Sequence, residues 1–196
     1  MANDHERMRV FFALWPGTSL RAQIATAREQ LPALNGQPVP AITPSQRTVA
    51  QRSWRAVPVH NLHLTLLFLG NQTRPDITEL CRRVNDLSAQ RFAMQLDRFG
   101  WFARPGVLWL GGAATPPAVA LVQRLRDCSD AIGLSCCRGH GSQHEWVPHM
   151  TLYRHVGQPP RLPDMTPLQW PVHEFVLLHS QPSQPYRVLR RWPLRE

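Results

Sequence analysis

The sequence predicts an α+β fold of two similar lobes, with largely antiparallel sheet, helices outside and a cleft between them. Three observations lead there. Strand-like runs arrive partly as hairpins and not as regular strand–helix alternation. Three amphipathic helical stretches separate them. Two short runs, Asn61 to Gly70 and Trp146 to Tyr153, repeat one tetrad: His63-Leu64-Thr65-Leu66 and His149-Met150-Thr151-Leu152. Each of these runs borders a helix, so each lobe is expected to contribute one to the cleft.

Taken in order, Arg9 to Leu14 reads as a strand, broken by Pro16-Gly17. Thr18 or Ser19 then caps a first helix, whose Leu20, Ile24, Ala27 and Leu31 fall on one face. Residues 32 to 58 are irregular and hold Pro32, Pro38, Pro40, Pro44 and Pro58. A loop this long in a compact domain is usually functional or disordered. The first tetrad strand follows. Thr73 caps a second helix with Pro75 in its first turn and an apolar stripe of Ile77, Leu80, Cys81, Val84 and Leu87. Phe92 to Phe102 alternates in part and reads as one strand; Arg104-Pro105-Gly106 turns it into a partner, Val107 to Gly111. Thr115-Pro116-Pro117 opens a third helix that Gly133 stops. A polar loop over 135 to 145 precedes the second tetrad strand. Gly157 to Pro171 reads as a Pro-rich connector, and Glu174 to Ser180 and Tyr186 to Trp192 as a last strand pair.

Composition narrows the function. The chain has 196 residues and a formal charge of +9, and all 22 basic residues are Arg. Guanidinium is a planar fork suited to phosphate, and a basic chain attracts polyanions such as RNA, although an Arg bias also arises from genome composition alone. No apolar run approaches a membrane span. The start, Met1 to Arg7, is polar, without an apolar stretch of signal type, so a cytoplasmic location is expected. The four cysteines, Cys81, Cys128, Cys136 and Cys137, contain no C-x-x-C. Cys81 and Cys128 fall on apolar helix faces; Cys136 and Cys137 are expected to be reduced.

The paired tetrads carry the chemistry. In a strand, residues i and i+2 share a face, so each His should point the same way as its Thr, with Leu64, Leu66, Met150 and Leu152 on the other side. One H-x-T is weak, because a lone strand His is most often a partly buried structural residue. Two copies in one chain are much harder to assign to chance. Two imidazoles across a cleft suit paired acid–base work, one neutral and one protonated, each transfer contributing about 10²–10⁴ in rate. Thr hydroxyls can donate to phosphoryl oxygens, and a nearby Arg can offset growing charge. Arg154 is the candidate Arg. Simple alternation sends it to the face opposite His149, unless a strand end or bulge re-aims it.

Other chemistries find little support. There is no acidic cluster for Mg²⁺ or Ca²⁺, no P-loop or Rossmann glycine pattern and no G-x-S-x-G. His60 with His63, and His140 with His144, have spacings that zinc can use. No H-E-x-x-H is present, however, and the first pair sits at a strand entrance, where its side chains diverge.

The tetrads together resemble the 2H phosphoesterase superfamily. The whole chain resembles its RNA 2′,3′-cyclic phosphodiesterase family, also known as 2′-5′ RNA ligases. The matching stretches are Arg9 to Leu14, Asn61 to Gly70, Val107 to Gly111, Pro148 to Arg154 and Tyr186 to Leu194, in the expected order. The resemblance implies one domain over 1–196 with two pseudo-symmetric lobes. It implies metal-independent, cofactor-free hydrolysis of a terminal 2′,3′-cyclic phosphate to a 2′-phosphate, together with reversible 2′-5′ RNA ligation. It assigns His63 as proton donor and His149 as proton acceptor. Thr65 and Thr151 would hold the phosphoryl oxygens, and Arg154 completes H-x-T-x-x-R. Phe11 or Phe12 would stack a terminal base, though core packing is expected for at least one of them. The stretch from Gly36 to Arg55 is longer and more Pro-rich than the family pattern, and would narrow access if it folds over the cleft. RNA is the expected partner and a monomer the expected state. Two alternatives stand beside this reading: an RNA-binding module with a vestigial cleft, and a 2H enzyme acting on a small cyclic nucleotide.

Overall fold

A computed structural model describes residues 7–31, 54–134, 146–157 and 162–196. The expectation of a long loop over residues 36–55 lies almost wholly outside the described residues, as do Arg138, His140, His144, Cys136 and Cys137. The strands are β1 (Met8–Leu14), β2 (Arg55–Ala56), β3 (Leu64–Gln72), β4 (Phe92–Leu96), β5 (Arg98–Phe102), β6 (Val107–Gly111), β7 (His149–Arg154), β8 (Leu168–Val172), β9 (Glu174–Ser180) and β10 (Arg187–Pro193). The helices are α1 (Thr18–Glu29), α2 (Arg74–Asn85) and α3 (Pro116–Asp130). The fold is α+β and mostly antiparallel, as expected.

Eight strands form one sheet in the order β10-β9-β1-β3-β7-β6-β5, with β2 beside β7. It is built as two halves. β1 pairs antiparallel with both β3 and β9, and β9 with β10; β6 pairs antiparallel with β5 and β7. The halves meet through a single register pair, Leu64↔Met150, between β3 and β7. Each half repeats one unit: strand, helix, then a tetrad strand antiparallel to the first. The unit is β1-α1-β3 in one half and β6-α3-β7 in the other.

All three helices lie on one face. Leu20, Ile24 and Ala27 of α1, Leu80, Cys81 and Val84 of α2, and Leu121, Val122 and Leu125 of α3 share one apolar core with Phe12, Leu64, Leu66, Leu108, Leu110, Met150 and Leu152. A smaller cluster, Phe11, Ala13, Val176 and Leu178, lies on the other face with Trp15, Phe68, Tyr186 and Val188 around it. Among the described residues no helix is long and apolar enough to cross a membrane.

Several elements depart from expectation. α1 is capped at Gly17, one residue before Thr18, with no side-chain cap bond. The expected Thr73 cap is present as a full box: its Oγ1 accepts from Asp76 N–H and the Asp76 carboxylate accepts from Thr73 N–H. Phe92 to Phe102 is not one strand. It breaks at Asp97, because its first half leaves the large sheet to pair with β8 and its second half pairs with β6. β8 itself was expected to be connector. Its Leu168, Trp170 and Val172 alternate inward past exposed Gln169 and Pro171, and Pro is tolerated because the two-stranded ribbon leaves it at an edge.

Gly111 sits where the end of β6 passes close to the start of β7. It pairs with His149, and a Cβ there would run into the Pro148 carbonyl. Gly111→Ala is therefore expected to lower Tm by about 5 °C or more and to displace His149. Thermal melts, with the imidazole NMR signals of the variant, check both parts.

Candidate active site

β3 and β7 run antiparallel through Leu64↔Met150. That register places His63 and Thr151 on one flank of the pair, and Thr65 and His149 on the other. Each tetrad thus brings its His toward the other tetrad's Thr. Burial follows the expected alternation: Leu64, Leu66, Met150 and Leu152 are buried, and His63, Thr65, His149 and Thr151 are half-exposed. Trp146, just ahead of β7, donates its indole N–H to the Thr65 carbonyl at 3.1 Å, which ties the two tetrads together.

The two imidazoles are held the same way. His63 Nδ1 lies 2.7 Å from the carbonyl of Asn61, and His149 Nδ1 lies 2.8 Å from that of Val147. Each bond reaches back two residues. A carbonyl can only accept, so both Nδ1 atoms carry the hydrogen and both Nε2 atoms are left to exchange protons. Asn61 has a second function: its side-chain oxygen accepts from Tyr186 N–H at 3.0 Å, pinning Tyr186, the residue before β10, beside His63.

Aromatic rings wall in both histidines. Around His63 the ring-centroid distances are 4.9 Å to Phe11, 5.1 Å to Tyr186 and 6.4 Å to Trp15. Around His149 they are 5.0 Å to Phe102 and 6.2 Å to Trp109. Trp109 can lie where it does because Gly100 presents no Cβ beneath its ring. Sequence reasoning passed over Asn61, Trp15, Tyr186, Phe102 and Trp109. Asn61, two residues before His63, was the legible one, since a short return bond from a ring to a nearby carbonyl needs that spacing.

Phe12 is a correction. It is fully buried in the helix-side core, 6.2 Å from Phe175 and 5.8 Å from Trp192, so it cannot meet a base. Phe11 does lie on the tetrad face, but it is only 3% exposed, packed beneath His63 and Tyr186. Its ring serves as a floor for His63.

Arg154 resolves through a bulge. Trp109 pairs with Thr151 and the adjacent Leu108 with Tyr153, so Leu152 is an extra residue in β7. The bulge reverses the alternation. Tyr153 now shares the core side with Leu108, and Arg154 returns to the face of His149 and Thr151. Its charge acts on both imidazoles. β3 has the same bulge: Ala13 pairs with Thr65 and Phe12 with Leu67, leaving Leu66 extra. The residue of the first tetrad strand that corresponds to Arg154 is therefore Phe68. β7 ends at Arg154, and the next residue, His155, has a left-handed φ of 63°.

These surroundings disfavour protonation. Burial is the main cause in both cases and lowers His149 below its usual range. It lowers His63 to about 4, helped by Arg154, His149 and Arg21 and opposed by the Asn61 carbonyl. Among the described residues, no group of three or more His, Cys, Asp or Glu could hold a metal ion, and Cys81 and Cys128 are free.

Fold and paired tetrads together define a phosphoesterase of the 2H type. Residues 35–109 match the family model described as LigT-like phosphoesterase. The RNA 2′,3′-cyclic phosphodiesterase of Thermus thermophilus is 31% identical, covering 96% of this chain and 91% of that protein. The protein of the same name from Escherichia coli is 29% identical, covering 97% and 99%. The crystal structure of Escherichia coli LigT complexed with 3′-AMP superposes with a TM-score of 0.78 at 27% identity, covering 97% of this chain and all of that one. The chain belongs to the LigT-like phosphoesterases.

The His63 shift makes stability depend on pH. Because the folded ring binds its proton below the unfolded value of 6.5, the unfolded chain takes up more protons as pH falls from 6.5 toward 4. Stability from this group is complete above 6.5 and declines below it. Between pH 7 and pH 5 the loss should be about 1–2 kcal/mol, and His63→Phe should flatten it. Urea unfolding at the two pH values measures both.

Proposed function

We propose that this chain hydrolyses the 2′,3′-cyclic phosphate at an RNA end to a 2′-phosphate, with His63 and His149 as acid and base. The observation that carries this reading is the matched pair of Nδ1–H to carbonyl bonds, which leaves two Nε2 atoms for proton transfer on one sheet face. His149 Nε2 takes the proton of a water whose oxygen attacks phosphorus. The bond from phosphorus to O3′ breaks, and His63 Nε2 gives that oxygen its proton. The products are a 3′-hydroxyl and a 2′-phosphate, and each His ends in the other's starting state. Thr65 and Thr151 donate hydroxyl hydrogens to the phosphoryl oxygens, and Arg154 offsets their charge. All of these groups come from one chain, so the proposed site takes no residue from a partner subunit, and the roles assigned above call for neither metal nor cofactor. Ligation through a 2′-5′ linkage is the same displacement with a 5′-hydroxyl in place of water: its oxygen bonds phosphorus, O3′ leaves, and the step is reversible.

The depressed imidazoles give this mechanism a charge requirement. His63 is neutral at pH 7 in the free protein, yet it must be protonated to act as the acid. The anionic cyclic phosphate supplies the remedy, because it offsets Arg154 and favours the imidazolium.

Turnover of an RNA ending in a 2′,3′-cyclic phosphate, measured in EDTA, is expected to yield only the 2′-phosphate. His63→Ala and His149→Ala should each lose at least about 10²-fold in kcat. A variant retaining near-normal kcat, or a 3′-phosphate product, would overturn the assignment. The pH profile is a separate expectation. One imidazole must be protonated and the other neutral, and both lie below 6.5, so kcat/KM should peak on the acid side of pH 6.5. Initial rates between pH 4.5 and 8.5 measure it.

A further inference from the structure

The two tetrads are alike, but the surfaces beyond them are not. At the position of Arg154 the first half has Phe68, with the Arg9 guanidinium 4.9 Å from its ring centroid. The floor there is apolar: Phe11, Ala13, Val176 and Leu178. The second half thus presents a cation to the reacting phosphate, and the first half presents a platform with basic groups at its rim. A platform of this kind suits a strand of nucleotides, with rings to meet bases and guanidinium groups to meet the backbone.

Arg21 stands out on that rim. It lies in the first turn of α1, its guanidinium carbon 4.3 Å from the Trp15 ring centroid, and Trp15 stacks on His63 at an interplanar angle of 28°. Its Nε and Nη2 are buried and no described residue accepts a hydrogen bond from either. Buried donors without an acceptor are costly, and a guanidinium doubly so, unless an anion completes them. Arg191 shares the face of Val176 and repels the Arg21 charge, but it has its own carboxylate partner in Glu174. Trp15 covers one side of Arg21 without satisfying its N–H groups.

We propose that Arg21, held over Trp15, binds the phosphodiester on the 5′ side of the terminal nucleotide. The site then prefers a polynucleotide end to a mononucleoside cyclic phosphate. This rests on the cyclic phosphodiesterase reading above and adds a residue that sets its specificity. Nε and Nη2 are covered in the free protein, so the guanidinium must turn that edge outward over Trp15; its planar fork then gives Nε–H and Nη2–H to two non-bridging oxygens of one phosphate. Arg154 stays with the reacting phosphate, one nucleotide away.

The test pairs a change in the substrate with a change in the protein. Three substrates are used: a dinucleotide ending in a 2′,3′-cyclic phosphate, the same dinucleotide with a neutral methylphosphonate linkage, and the mononucleoside 2′,3′-cyclic phosphate. Each is turned over by the unmodified protein, by Arg21→Gln and by Arg21→Lys. The unmodified protein should favour the natural linkage over the neutral one by about tenfold in kcat/KM. In Arg21→Gln the preference should fall to under about twofold, the signature of two groups that interact directly. Arg21→Lys should keep part of it, as a point charge without the fork. The proposal is overturned if the unmodified protein does not distinguish the two linkages. It is also overturned if the mononucleoside is cleaved as well as the dinucleotide, or if Arg21→Gln keeps the full preference, which would leave Arg21 only a packing partner for Trp15. Failure of the unmodified protein to cleave any of the three would instead overturn the underlying activity.

Discussion

A single backbone pairing, Leu64↔Met150, decides the geometry of the site. Between the two tetrad strands this is the one register pair, and the Trp146 indole bond to the Thr65 carbonyl reinforces it. Because the two strands are antiparallel, the residues on either side of the pair come from opposite tetrads. Leu64 and Met150 are both fully buried against the helix-side core. That fixes the opposite face, one residue away in each direction, as the place where His63, Thr65, His149 and Thr151 must emerge. A slip of one residue would turn all four side chains into the core. The hydrophobic pattern on one face therefore holds the polar groups on the other.

The bulges at Leu66 and Leu152 are the second device. Each lies directly after a tetrad Thr and reverses the alternation beyond it, so two consecutive residues face the core: Leu66 with Leu67, and Leu152 with Tyr153. The sequence carried this signal as two adjacent apolar residues after each Thr. It is easily read as the continuous run of a strand buried on both faces, which is why alternation alone misplaced Arg154. With the bulge, the fifth residue after each His returns to the tetrad face. One half uses that position for a guanidinium and the other for Phe68, which is how a duplicated unit becomes an asymmetric site.

The elements that were legible in the sequence are those whose pattern comes from one local rule. The Thr73 box, the apolar stripes of α1, α2 and α3, the Gly133 stop and the tetrad strands all belong here. What was not legible depends on distant partners. Phe92 to Phe102 looks continuous, yet Asp97 hands the chain from one sheet to another because β8 competes with β6 for pairing. β8 alternates properly, but Pro171 and the prolines before it outweigh the alternation until β4 is there to receive it. Phe11 and Phe12 differ only in parity, and parity is set by Leu178 and Leu67, far away in sequence. The walls around the histidines, Trp15, Tyr186, Phe102 and Trp109, come from four separate stretches, and no spacing rule joins them.

The orienting groups of the two histidines also shape the chemistry. Both Nδ1 partners are backbone carbonyls. A carboxylate in that position would stabilise an imidazolium before substrate arrives; a carbonyl dipole does so far less. With Arg154 and Arg21 acting on His63 and with aromatic rings excluding water, the free site is cationic at its rim and neutral at its centre. The missing charge in such a site is an anion. Under the proposed mechanism, a phosphate entering it would be attracted by the arginines and would also make the protonated imidazole tenable, so binding and activation of the acid would become one event. In that proposal the coupling would keep the acid idle until phosphate is bound. It follows from two short bonds to carbonyls, set two residues before each histidine by the same local geometry.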